Sequence, residues 1–288
     1  MKFGTSYSYW SNVWDCDYSK VIHKVADIGF DMLEVGADHL HHMNEQELKK
    51  LRRDSQDRGV QLVANSGPAR EHDLASADEA IRRDGIAFFQ TVMANMKKIG
   101  SSKLIGAIYS FWPSDFVNVD KTAAWERSIS SLKTLAKTAE ELEVYISLEV
   151  LNRYETFILT DCAEAKEYCR QIGSPHINIL LDTFHMNIEK DDTVAAIHLA
   201  GDMLGHFHVG EANRKLPGMG TSIPWDRIGK ALKDIGYQKG VVMEPFMITG
   251  GEVGRDIKVW RDLSNGATQE QLTQYLRTSL EFLKEKFL

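Results

Sequence analysis

The feature that most constrains this chain is an eightfold alternation in which a short apolar or β-branched run is followed by a longer amphipathic stretch. The runs are Lys2–Thr5, Met32–Gly36, Val60–Asn65, Lys103–Ala107, Val144–Glu149, Ile177–Asp182, Gly205–Val209 and Gly240–Glu244. Most are nearly continuous in apolar residues, the pattern of parallel strands buried on both faces. Between them runs the helical period. Trp125, Ile129, Leu132, Leu135, Ala136, Ala139 and Leu142 recur at spacings of three and four, so one stripe of that helix faces the sheet. Helix starts are marked at Asn44–Glu47, Ser76–Glu79 and Thr268–Gln271, where a capping side chain precedes Glu or Gln by three residues. A last helix is expected over Thr268–Leu288. Eight units in an unbroken series, without a Pro/Gly/Ser-rich linker, predict one domain over residues 1–288, a (β/α)8 TIM barrel of the α/β class. An open doubly wound sheet would place a glycine-rich phosphate loop after an early strand, and neither G-x-G-x-x-G nor a P-loop occurs.

Composition narrows the functions open to such a barrel. With 43% hydrophobic and 26% charged residues, the chain can bury a large core and stay in solution. The net charge of −7 and the lack of a basic run argue against nucleic acid as a partner. The start, MKFGTSYSYW, has no apolar run after its lysine, and the longest lightly charged stretch, Leu104 to Val117, is interrupted by Pro113 and Asp115. Neither export nor membrane insertion is expected. Cys16, Cys162 and Cys169 are odd in number, and the last two share a predicted helix, so no disulfide framework is expected and a reducing cytoplasm is.

In a barrel of this kind, chemistry gathers at the C-terminal ends of the strands. Glu149 closes YISLE, Asp182 closes INILLD, His208 closes GHFH and Glu244 closes VVME. Their successive separations of 33, 26 and 36 residues are each about one strand–helix unit, so the four converge. Three carboxylates and an imidazole cannot be buried there uncompensated, because each unpaired ion costs several kcal/mol. A divalent cation resolves the conflict. Oxygen-rich ligation with one nitrogen favours Mn²⁺, Mg²⁺ or Co²⁺ over a thiolate-bound zinc, and four protein ligands on an octahedral ion leave two positions for substrate or water. His206, two residues before His208, points to the same side one layer deeper and reads as a core histidine bonded to its neighbours. Glu155, His185 and Arg214 follow the strand ends on loops, where charge and hydrogen-bond donors beside a metal suit a polyhydroxylated ligand. Glu211, close to His208, reads as a support for the ligands. Trp14, Trp112 and Phe246 lie in segments after the first, fourth and eighth strands, and such rings stack on sugar C–H faces and exclude water.

These segments also carry a resemblance. LEVLNRYE, LDTFHMNIE, GHFHVGEANRKLPG, VVMEPF and GRDIKVWRDLSNGA, with YSYWSNVW and YSFWPSDF before them, resemble the D-tagatose 3-epimerase family, which includes the D-psicose (D-allulose) 3-epimerases. The resemblance covers essentially the whole chain. It implies an isomerase-class enzyme that epimerises C3 of free ketohexoses, of the D-fructose/D-psicose and D-tagatose/D-sorbose type, through an enediolate. It further implies one Mn²⁺ per subunit, with Co²⁺ or Mg²⁺ as alternatives, and a homodimer or homotetramer. By similarity Glu149, Asp182, His208 and Glu244 match the metal ligands, and Glu149 and Glu244 also match the acid/base pair. Glu155, His185 and Arg214 match residues that hydrogen-bond the sugar, and Trp14, Trp112 and Phe246 match its hydrophobic surround. Two places depart from the family. Ser6 stands where a bulky aromatic is usual after the first strand, and Asn65-Ser66-Gly67-Pro68 replaces a more glycine-rich or apolar version. Both are expected to border the distal end of the sugar and to bear on substrate preference.

Other functions compete with this one. An aldose–ketose isomerase on a related barrel would use a similar metal, carboxylates and enediolate, and only its product would separate it. A metal-dependent endonuclease on a comparable barrel wants more histidines at the mouth and a basic face, against which stands the net charge of −7. A sugar-binding barrel without chemistry gains nothing from a carbonyl-polarising cation.

Overall fold

The eight apolar runs pair in parallel and close on themselves in sequence order in a computed structural model, which describes residues 1–190 and 192–288. They form β1 (Lys2–Ser6), β2 (Met32–Gly36), β3 (Gln61–Ser66), β4 (Lys103–Gly106), β5 (Tyr145–Glu149), β6 (Ile177–Asp182), β7 (Leu204–Val209) and β8 (Gly240–Met243). Strand β8 returns to β1 with Lys2 opposite Gly240 and Thr5 opposite Met243. The molecule is therefore a closed α/β barrel, and the open sheet is excluded. Strand limits differ from the expected ones by one residue at most. Strand β4 stops at Gly106 because the chain turns there with φ +112°, and a Cβ at that position would lie 2.3 Å from the Ser66 carbonyl oxygen. Only glycine tolerates both. Glu244 falls just past β8 and Ser6 closes β1.

Eleven α-helices occur among the described residues: α1 (Tyr18–Ile28), α2 (Ala37–His42), α3 (Glu45–Arg58), α4 (Glu79–Ile99), α5 (Lys121–Leu142), α6 (Cys162–Ile172), α7 (Thr183–Glu189), α8 (Thr193–Ala200), α9 (Trp225–Asp234), α10 (Gly251–Asp256) and α11 (Gln269–Phe287). The predicted stripe of α5 is inward, with Ile129, Leu132, Leu135, Ala136 and Ala139 buried and Trp125 and Leu142 half-buried at its ends. Asn44 and Thr268 form reciprocal capping boxes at the starts of α3 and α11. The start expected at Ser76 is corrected. Helix α4 is capped by Asp78, which accepts from the Ala80 amide, while Ser76 accepts from the Asp78 amide in the preceding turn. Two capping residues compete in SADE, and the carboxylate nearer the apolar period takes the helix. No helix among the described residues is long and apolar enough to cross a membrane, and Cys16, Cys162 and Cys169 are free thiols.

Two features of this frame position a site. The inward side chains are stacked in layers, because alternate residues of a strand share one face. Met32, Val63, Ile105 and Leu180 make an apolar layer, and two residues further along β2, β3 and β6 stand Glu34, Asn65 and Asp182. The barrel interior thus turns polar toward its C-terminal end. The short helices α2, α7 and α10 are additions to the strand–helix units, and they bring Asp38, His185 and Asp256 to the same cavity.

Candidate active site and metal centre

The strand register carries the four strand-end residues to one level. Glu149 stands opposite Leu180, Asp182 opposite His208 and Val209 opposite Met243, and the Glu244 amide continues the ladder to the Val209 carbonyl at 3.2 Å. Glu149, Asp182, His208 and Glu244 each offer one ligand atom, all within 4.8 Å of one another. His208 Nδ1 lies 3.2 Å from Glu149 Oε1 and 3.7 Å from Glu244 Oε2. Asp182 also caps α7: its Oδ1 accepts from the Phe184 amide at 2.8 Å, leaving Oδ2 for the cluster. The strand ends are tied from outside, by Tyr109 Oη donating to the Glu149 carbonyl at 3.0 Å. Thr183 Oγ1 likewise donates to the Gly210 carbonyl and accepts from its amide, at 2.7 and 2.8 Å.

Above the cluster a cavity of about 340 Å³ opens to solvent. Glu149 and Glu244 line it together with Glu155, His185, Arg214, Trp14, Trp112, Phe246 and Ser6, whereas Asp182 and His208 are buried behind its wall. The structure therefore brings these eleven residues to one place. His185 Nδ1 accepts from the backbone amide of Asn152 at 3.1 Å, so the ring proton sits on Nε2, which faces Asp182 and Glu149 at 3.7 and 3.9 Å. Glu155 accepts from Trp112 Nε1 at 3.0 Å and Asn152 Nδ2 at 2.9 Å. Arg214 is held with φ +64°. Its Nη1 lies 3.3 Å from both Asp182 Oδ2 and Glu244 Oε2, and its guanidinium carbon 3.7 Å from the Phe184 ring centre.

Trp14 meets Trp112 and Phe246 edge-on, with ring centres 6.4 and 6.1 Å apart. Trp14 is fixed by the chain's last strand–helix unit: its Nε1 donates to Asp256 at 2.9 Å and its amide to Glu252 at 3.3 Å. Val253 in turn donates to the Asn12 carbonyl at 3.1 Å. Ser6 shares a 3.0 Å hydrogen bond with Ser8 Oγ and lines the cavity along with Asn65, Ser66 and Gly67. Glu211 does not reach the cluster. It accepts from the Gly218 amide and Trp225 Nε1 at 2.8 and 3.0 Å and so braces the loop that carries Arg214.

One buried group was not anticipated. Glu34, in the middle of β2 and wholly buried, places Oε1 2.9 Å from Nε2 of both His206 and His208. Its Oε2 accepts from Asn65 Nδ2 at 3.1 Å. His206 is thus a bonded core histidine rather than one of the four. The signal for Glu34 was the charge inside MLEVG: an ionisable side chain on the inward face of an apolar strand needs a partner.

Burial drives the electrostatics and partners correct it. Burial alone would raise Glu34, but His208 and His206 outweigh it and hold the carboxyl below the ordinary range. Burial opposes the charged form of His208, yet Glu34, Glu244 and Glu149 raise it well above the usual imidazole value. Burial also pushes Glu244 up to about 8, with Glu149 and Asp182 adding to it and His208 and Arg214 opposing. Glu155 is held below its ordinary value despite burial, by His185, Arg214 and its two hydrogen bonds. Glu149, Asp182, Glu155 and Glu244 crowd their carboxyl groups around one guanidinium and one imidazole, and a divalent cation would relieve that crowding. An oxygen-rich set with one imidazole is a fitting donor set for such an ion.

Residues 22–285 match the family described as xylose isomerase-like TIM barrels. The chain is 44% identical over 291 residues to the D-psicose 3-epimerase of Enterocloster bolteae, covering 100% of this chain and 96% of that one. It is 42% identical over 283 residues to the D-psicose 3-epimerase of Agrobacterium fabrum, covering 98% of each. A crystal structure of D-psicose 3-epimerase with D-tagatose, from Clostridium cellulolyticum H10, superposes with a TM-score of 0.98 at 42% identity, covering 100% of this chain and 99% of that one.

Proposed function

Because this chain belongs to the D-psicose 3-epimerase family of xylose isomerase-like TIM barrels and is a ketose 3-epimerase, we propose that it interconverts free ketohexoses at C3 by proton transfer between two carboxylates. The pairs are D-fructose with D-psicose and D-tagatose with D-sorbose. The observation that carries the reading is the convergence of Glu149, Asp182, His208 and Glu244 within 4.8 Å, with the first and last open to the cavity.

A divalent cation, Mn²⁺ in this reading, would be held by those four residues and would supply Lewis-acid polarisation of the carbonyl next to C3. One carboxylate, of Glu149 or Glu244, takes the C3 proton, leaving the electron pair in an enediolate. The other, protonated, returns a proton to the opposite face, and the roles exchange with direction. Arg214, through its guanidinium, and His185, through Nε2–H, supply donors for the sugar oxygens, while Glu155 accepts. Trp14, Trp112 and Phe246 exclude water from the reacting face. The reading extends to a cytoplasmic homodimer or homotetramer, and the three free thiols accord with a reducing compartment.

The test is incubation of Mn²⁺-loaded protein with D-fructose, D-psicose, D-tagatose and D-sorbose and chromatographic identification of the products. The 3-epimeric ketose is expected, and an aldose or no conversion overturns the reading. Glu149→Gln and Glu244→Gln are each expected to lose roughly 10²–10⁴-fold in turnover and in exchange of the C3 proton with solvent. Retention of exchange by either variant removes that residue from the acid/base pair.

A further inference from the structure

We infer that Glu34 is a positioning residue that orients His208 and holds the hydrogen on its Nε2, so that Nδ1 is the nitrogen turned to Glu149, Asp182 and Glu244 and the one that would give up its hydrogen to a cation held among them. The inference deepens the metal reading above and rests on it.

The argument is one of donors and acceptors. Glu34 Oε1 stands 2.9 Å from Nε2 of His208 and 2.9 Å from Nε2 of His206. An ionised carboxylate only accepts, so both imidazoles carry hydrogen on Nε2. Nδ1 is then the nitrogen His208 turns to the cluster, 3.2 Å from Glu149 and 3.7 Å from Glu244, where its hydrogen points at the carboxylates and would be exchanged for a cation. The carboxylate cannot swing away, because Asn65 Nδ2 occupies Oε2 at 3.1 Å. The two rings, centred 5.3 Å apart and inclined by 80°, reach the shared oxygen from different directions. A histidine that binds a metal through one nitrogen commonly donates the other N–H to a carboxylate, which fixes the ring and raises its basicity.

A second observation separates this role from packing. His206 Nδ1 is buried without a hydrogen-bond partner, and Gly240 leaves room for that ring, since a Cβ there would lie 3.0 Å from His206 Cε1. An apolar residue would fill this layer without leaving an acceptor unmet. Retaining the imidazole secures the one bond an apolar residue cannot make, the second donor that pins Glu34 Oε1.

The experiment is calorimetric titration of chelator-treated protein with MnCl₂, wild type against Glu34→Gln, with circular dichroism to confirm the fold. In the variant the carbonyl must face Asn65, which turns the amide NH₂ toward both Nε2 atoms and moves the His208 hydrogen to Nδ1. Wild type is expected to bind one Mn²⁺ per chain, and Glu34→Gln to bind about 10–100-fold more weakly. Affinity within twofold of wild type overturns the role of Glu34 and leaves the metal reading intact. Two ions in wild type and one in Glu34→Gln make Glu34, His206 and His208 an ion site of their own, which also overturns it. No binding by wild type overturns the metal reading and this inference together. Where the variant fails to fold, ¹⁵N–histidine correlation spectra of the Mg²⁺-loaded wild type decide. Nε2–H signals for His206 and His208 support the inference, and an Nδ1–H tautomer of His208 overturns it.

Discussion

Arg214 shows how much one side chain can be asked to do in a closed site. It is buried, sits in the left-handed region and lies between the Asp182 and Glu244 carboxylates and the Phe184 and Phe246 rings. In the role proposed for it the planar fork orients the sugar rather than reacting, so Arg214→Ala is expected to raise KM by about 10- to 100-fold, the worth of one charge-assisted hydrogen bond or two, with a smaller change in kcat. Steady-state kinetics on D-psicose check this, and an unchanged KM removes Arg214 from the site. Arg214→Lys should not restore the affinity, because an ammonium cannot reproduce the fork. Residues such as Arg214, Glu155 and His185 were legible because they follow strand ends, where the fold exposes side chains to a common mouth. Glu34 was not legible in that way. It lies in mid-strand, and its partners His206 and Asn65 come from β7 and β3, so only closure of the barrel shows that three separate segments meet. Glu211 was misplaced for the same reason, since proximity to His208 in sequence says nothing of the turn that directs it to Gly218 and Trp225.

Among the elements, the strands were legible to within one residue, because a buried parallel strand is a continuous apolar run and little else in this chain resembles one. What sequence leaves out is the short helices α2, α7 and α10, whose few residues carry too little periodicity to register. The barrel's other end holds a strand-borne charge of a different kind. Lys103 opens β4 and donates to the Gly205 carbonyl at the start of β7, and burial, aided by Lys239, lowers it to about 8. Between about 8 and its ordinary value of 10.5, the folded chain binds fewer protons at this group than the unfolded chain does. Stability from this group therefore rises with pH across that window, and its cost is complete below 8. Lys103→Met is accordingly expected to be most favourable relative to wild type near pH 7 and to lose ground, by a few degrees in Tm, as pH rises to 10. A difference in Tm between the two proteins that does not vary from pH 7 to 10 would contradict this.

The whole molecule is a ring in which the four proposed ligands come from β5, β6, β7 and the residue just past β8, so a bound ion ties half of the barrel. A ligand bound only by the native state at a hundredfold excess over its Kd adds about 2.7 kcal/mol, which is roughly 4 °C in Tm for a chain of this length. Thermal scans with Mn²⁺ and with chelator should differ by that order, and coincident scans would count against an ion at this position. The ring also decides when the site comes into being. Trp14, near the beginning of the chain, is held by Glu252 and Asp256 near its end, and Glu244 arrives only with the last strand. Through β7 the chain supplies Trp112 and three of the four proposed ligands, but Trp14 still lacks its partners Glu252 and Asp256 and the proposed cation still lacks Glu244. On the proposed reading, a chain ending before β8 would bind the cation more weakly and would carry only one of the two proposed proton carriers.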